Sequence, residues 1–216
     1  MADLKTWIAV LLNITFLYFA FRLAIKTNLI KDDSTQDNKP YSYAKSQLFW
    51  WTAIIISEFI WCAVLNNGDI PKLNSLCLAL LGISAGTAAA GALIDNSDKS
   101  VPGLVRHQDA NTSSSFIRDI LSDAQGNYSI HRFQSFIFNL VIGLIFLWKF
   151  FSGDKSAFPV FDDPQYILGL LGISNLGYAG LKMGENVQPR KDAVGVLQSQ
   201  GKTDDQVANE MKLMAK

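Results

Sequence analysis

Histidine is nearly missing from this chain. There are two in 216 residues, His107 and His131, and both fall in one polar loop. No His-Glu-x-x-His motif and no histidine-rich metal cluster can be built from them. Net charge is missing as well, with 19 Lys and Arg against 19 Asp and Glu. No basic block with interleaved aromatics lies outside the apolar flanks, which sets nucleic-acid binding aside. Cysteine is scarce, at two residues. Charge is also absent from long stretches of the chain, and these give the first positive signal. Uncharged apolar runs alternate with short segments carrying nearly all the charge, a sorting that soluble domains do not show.

Five such runs stand out: Trp7 to Ile25, Leu48 to Leu65, Ser75 to Ile94, Phe133 to Phe151 and Tyr166 to Leu181. At about 1.5 Å per residue the first reaches about 28 Å, close to the thickness of a bilayer's hydrocarbon core. Its basic residues (Arg22, Lys26, Lys31) follow the apolar run and no small-x-small cleavage site succeeds it, so it reads as a retained anchor. The third run is crowded with Gly, Ala and Ser. The fifth is short and glycine-rich, suited to a strongly packed or re-entrant helix. The reading is an all-α polytopic membrane bundle over residues 1–185, with loops 26–47 and 95–132 on one side and a tail at 186–216.

Orientation follows from the basic residues. Of the 19, only Lys5, Lys72, Lys149 and Lys155 fall on one side of the five spans, leaving fifteen on the other. The expectation is an N-terminus outside, a C-terminus in the cytoplasm and residence in the cell (inner) membrane. Trp7, Trp61 and Trp148 fall at outer ends and Trp50 and Trp51 at an inner end, where amphipathic rings settle.

The second half echoes the first. Lys45-Ser46-Gln47 enters one span and Arg132-Phe133-Gln134 another, the glutamines 87 positions apart. Leu-Leu-Gly-Ile-Ser opens the returning run at Leu80 to Ser84 and again at Leu170 to Ser174, and each run ends at an acid, Asp95 or Glu185. Two parallel-repeated hairpins after an added N-terminal helix are expected.

The basic-x-Gln entry, the LLGISAGT run at Leu80 to Thr87 and FIRDILSDAQGNYSIHRFQ at Phe116 to Gln134 resemble a group of uncharacterised bacterial multi-pass membrane proteins. That group shares the two-hairpin pattern. The resemblance covers roughly residues 42 to 185. It implies a bacterial membrane protein and no particular activity. Ser174-Asn175-Leu176-Gly177 departs from the Ser-Ala-Gly-Thr of the first copy, so the two copies are not expected to share a role equally.

Glu58 is the first candidate for chemistry, because a lipid-facing carboxylate costs several kcal/mol when ionised. Counted inward at the helical rise, Asn13, Glu58, Ser84 and Ser174 approach one level about 9–14 Å from the outer ends. They form either interhelical glue, with Glu58 hydrogen-bonded to Asn13 or a serine, or a cation or proton site. Gly82, Gly86 and Ala90 make a small-residue stripe, echoed by Gly172, Gly177, Gly180 and Gly184. Such stripes build either the monomer or an oligomer interface, the first being commoner.

Cys62 and Cys77 lie at matching depth on one hairpin. Helix axes about 8–10 Å apart make two buried thiols the default over a disulfide. The span serines have no histidine or lysine at their depth to activate them. DAQGN at Asp123 to Asn127 reads as a turn, since a calcium loop would need Glu where Gln134 stands. Catalytic residues, metals and cofactors are therefore not expected.

Phe116, Ile117, Ile120 and Leu121 line one helical face, suited to a membrane surface or a docked partner. Thr203-x-x-Gln206 is a capping box opening a tail helix with Val207, Met211 and Met214 on its apolar face. The expectation is a non-enzymatic, homo-oligomeric membrane protein serving as anchor or platform for a cytoplasmic protein. An oligomeric pore or channel, including a membrane-permeabilising effector, is the alternative, and a secondary transporter comes third.

Overall fold

A computed structural model describes residues 4–99, 104, 106–110, 113, 115–123, 127–184, 194–203 and 205–207. The helices are α1 (Leu4–Lys26), α2 (Tyr43–Leu65), α3 (Ser75–Lys99), α4 (His107–Ala110), α5 (Phe116–Leu121), α6 (Ile130–Ser152) and α7 (Pro164–Gly184), with a further helical turn at 194–199. No strand occurs among the described residues. The chain is all-helical, and α1, α2, α3 and α6 are long and apolar enough to cross a membrane. The fifth run folds as one continuous helix, α7, of 21 residues.

The helices outrun the apolar stretches because polar residues start them. Ser42 stands at the N-cap of α2 and Ser129 at that of α6, in nearly identical extended conformations (φ −90°, ψ 122° and φ −91°, ψ 123°). Asn74 accepts the Cys77 N–H at 2.9 Å and begins α3. Pro164 begins α7, where its fixed φ suits a first helical position. α2 stops at Asn67 and Gly68, both with positive φ (58° and 92°), a turn that favours glycine.

α2 packs on α3 and α6, and α7 on α3 and α6, closing a four-helix ring; α1 lies outside it, chiefly against α2. The ring's interior holds Trp51, Ile55, Leu80, Phe146, Phe150 and Leu171, with Trp51 edge-on to Phe146 at 6.1 Å. Lipid is as apolar as these side chains, so their contribution is close packing and hydrogen bonding, not escape from water. The outer surface agrees with that solvent. Leu11, Leu78, Trp148, Ile173 and Leu176 are all more than half exposed, an apolar surface no monomer leaves to water.

Three of the five tryptophans depart from the interfacial expectation. Trp51 and Trp61 are buried, and Trp50 packs its indole on Gly143. Only Trp7 and Trp148 stay open. A ring with one polar N–H suits a buried acceptor as well as a headgroup layer, and for Trp50 and Trp51 Asn139 supplies the acceptors.

Each long hairpin is preceded by the same small clamp. Lys31 and Tyr41 form an antiparallel bridge before α2, and Ser122 and Tyr128 another before α6. Ser42 donates its backbone N–H to Ile30 O, and Ser129 to Leu121 O, both at 2.9 Å. Tyr41 and Tyr128 are 87 positions apart, as are the two N-cap serines. At the opposite end the short connections are tied together, Asn66 donating to Ser156 O (2.7 Å) and Asn74 to Pro159 O (3.0 Å).

Candidate functional site

The four residues expected to form an intramembrane polar layer all lie inside the bundle: Asn13, Glu58, Ser84 and Ser174 are each under 10% exposed. They are not hydrogen-bonded to one another. Asn13 donates back to Ala9 O (3.1 Å) and Ser84 to Leu80 O (2.8 Å), each satisfied within its own helix. Among the described residues, neither carboxylate oxygen of Glu58 has a partner, and Ser174 Oγ has none. The expected bond from Glu58 to Asn13 or a serine is therefore absent. An enclosed carboxylate still needs a counter-group, whether a proton, a cation or a donor from another molecule. The two cysteines are free and buried.

The glycine stripes point the other way from the polar ones. A Cβ at Gly82, Gly86, Gly172, Gly177 or Gly180 would meet nothing within 4 Å, and Ala90 is half-buried. The expected close packing within the monomer is not there. What faces inward on α3 is Leu80, Ser84, Thr87, Gly91 and Asp95. With lipid as solvent, the face carrying polar groups is the one that must be hidden.

A buried polar network that the sequence reading missed joins α2, α6 and α7. Asn139 accepts from Trp51 Nε1 at its side-chain oxygen (2.8 Å) and from Trp50 Nε1 at its backbone oxygen (3.2 Å). Its amide donates to Tyr43 OH (3.1 Å) and Ser135 O (2.8 Å). Ser135 in turn donates to Asn175 Oδ1 at 3.2 Å. Asn139 and Asn175, uncharged amides inside apolar runs, were the available signal.

Toward the basic end, Lys182 of α7 reaches Asp95 of α3 at 3.0 Å, both side chains only 8% exposed. Gln108 donates to the other oxygen of Asp95 at 2.9 Å. Above this pair the two polar segments lock into a cap. Lys99 pairs with Asp33, and Arg106 donates to Asp33 O (3.1 Å) and to Asp109 Oδ2 (2.6 Å). Asp109 also accepts the Thr35 N–H (2.8 Å), and Gln36 donates to its backbone oxygen. Asp119 accepts from Tyr41 N (3.1 Å) and Ser113 Oγ (2.6 Å).

The short helix α5 belongs to this cap. Ile120 and Leu121 are buried against Tyr43, Ala44 and Tyr178 of the bundle, so they are not free to dock a partner. Phe116 and Ile117 keep 38% and 49% exposure, Phe116 edge-on to Tyr41 at 5.2 Å. Helix α5 is fixed at both ends, Ser115 capping its N-terminus and the clamp before α6 starting at Ser122 just past its C-terminus. In the tail, Thr203 and Gln206 make the reciprocal capping bonds (2.9 and 3.4 Å) and Val207 is buried. Glu185, Met211 and Met214 lie outside the described residues.

Acid should open this cap before it disturbs the bundle. Asp33 is held below the ordinary 3.8, first by its hydrogen bond from Lys99. Asp109 is also held down: burial raises it, but the hydrogen bonds from Arg106 and Thr35 outweigh burial. A carboxylate lowered by folding stabilises above its unfolded value and loses that contribution as pH falls through the folded one. Amide protection factors across residues 31–38 and 106–110 should hold above about pH 5 and fall below about pH 4. Unchanged protection at about pH 3 would contradict the pairing.

Among the described residues no group of three or more His, Cys, Asp or Glu side chains could hold a metal ion. Comparison with family models, with curated proteins and with solved structures finds no match to this chain.

Proposed function

We propose that this protein is a non-enzymatic bacterial inner-membrane anchor whose organised cytoplasmic face receives a soluble protein. In this reading α7 is a fifth span, the N-terminus is outside and the capped end is cytoplasmic. The fifteen-to-four division of basic residues supports that orientation. The paired N-caps and clamps before α2 and α6 support a duplicated hairpin.

One observation carries the platform reading. Among the described residues, most of the folded segments joining the long helices sit at one end, where those between α1 and α2 and between α3 and α6 are cross-bonded into a cap. The connections at the other end, residues 66–74 and 153–163, are short. Beside the cap, Ile117, Tyr128, Ile130 and Phe133 stay exposed around a shallow hollow, an apolar patch within a polar setting. The open glycine faces of α3 and α7 suit a second copy of the chain.

A pore is the second reading, favoured by Glu58 alone, since its enclosed carboxylate has no partner among the described residues. One pair of measurements separates the two. A photo-crosslinker placed at Ile117 or Tyr128 should trap one soluble protein in cells, while one at Leu78 should trap only lipid or sibling. Purified protein in liposomes should pass ions no faster than empty vesicles. Ion flux above that background, removed by Glu58→Gln, would replace the platform with the pore.

A further inference from the structure

Between α1, α2, α5 and α6 lies a cavity of about 630 Å³, within the roughly 300–1,000 Å³ range of small-molecule sites. Its walls include Leu17 and Phe21 of α1, Ile54 of α2, Phe116 of α5 and Leu140 and Leu147 of α6. No Asp, Glu, Lys or Arg lines it. From Gln47 to Ser57, both in its wall, α2 rises about 15 Å. The cavity therefore runs from the cap into the apolar level of the bundle.

Its polar groups are few, and two of them are unanswered. Tyr43 and Asn139 already bond each other at 3.1 Å. Gln47, only 4% exposed, has no partner among the described residues at either its amide oxygen or its amide nitrogen, and neighbouring Ser46 Oγ has none. Buried amides are nearly always satisfied, so a group with both its donor and its acceptor unused points to a missing partner. That partner must accept from the amide nitrogen and donate to the amide oxygen. Its body must be apolar, and with no cation in the wall its head must be uncharged. The route in is lateral: α1 leans chiefly on α2, and its remaining faces are open to the bilayer.

We propose that this cavity binds a single-chain neutral lipid. The alkyl chain would lie between α1 and α6, and the Ser46 hydroxyl and Gln47 amide, which line the cavity but are closed to solvent, would turn to meet an ester carbonyl with an adjacent hydroxyl. The site belongs to one hairpin only, because Gln134, the matching glutamine before the second, is exposed. It does not depend on the platform reading.

The test uses the full chain in detergent and a monoacylglycerol carrying a photoactivatable group in its alkyl chain. Labelling should saturate, yield to unlabelled monoacylglycerol, and map to α1 and α6 near Phe21 and Leu140. Gln47→Leu should weaken binding by about tenfold, the worth of two hydrogen bonds to uncharged groups. Leu140→Trp, which fills the cavity and spares the amide, should abolish the label and serves should Gln47→Leu fail to fold. An ionised fatty acid or a plain alkane probe should compete at least several-fold less well. Non-saturable labelling, label spread over Leu78 and Ile173, or equal competition by the alkane would each overturn the proposal.

Discussion

Replacing Lys182 with alanine is expected to cost the bundle about 3–5 kcal/mol, the range for removing one partner of a buried ion pair. Its ammonium sits 3.0 Å from Asp95 Oδ2, and solvent reaches little of either side chain. With the lysine gone, Asp95 would keep, among the described residues, the amide of Gln108 (2.9 Å). The effect should reach beyond the pair, because α7 falls outside the set of helices apolar enough to insert by composition. Its hold on α3 rests on this bond and on packing. Asp95→Leu combined with Lys182→Met removes both charges and their dehydration cost, and should recover most of the loss. Unfolding in mixed micelles, followed by tryptophan fluorescence, measures both. A Lys182→Ala chain within 1 kcal/mol of the parent, on the scale of weaker interhelical bonds, would show that the pair is dispensable.

Gly143→Ala should cost about 1–3 kcal/mol, the range for overpacking a tight interior. A Cβ there would stand 2.5 Å from Trp50 Nε1 and 2.8 Å from two of its ring carbons. The indole cannot swing aside without breaking its 3.2 Å bond to Asn139 O. Trp50→Leu in the same chain should relieve the clash, so the two substitutions should be strongly non-additive. Equal costs in the presence and absence of Trp50 would contradict the contact.

The contrast between Gly143 and Gly82 explains what could be read in advance. Glycine spacing announces a smooth face but not its direction, and the stripe at Gly82 and Gly86 looks outward while solitary Gly143 makes the close approach. The apolar runs were legible because length and missing charge are local properties. Their ends were less so, since Ser42 and Asn74 begin helices in polar sequence before the apolar run or at its edge. Pairs such as Asp95 with Lys182, or Trp51 with Asn139, join residues nearly ninety positions apart. No local pattern marks them. Glu58 was legible as an anomaly, though not that it has no partner among the described residues, which depends on what the neighbouring helices present to it.

The bundle's exposed apolar surface calls for lipid around it, so cell fractionation without detergent is the most direct check. Full-length chain should sediment with membranes, survive an alkaline wash, and enter solution only with detergent. Recovery in the supernatant as a monodisperse species would contradict it, for Leu11, Ile173 and Leu176 would then be facing water.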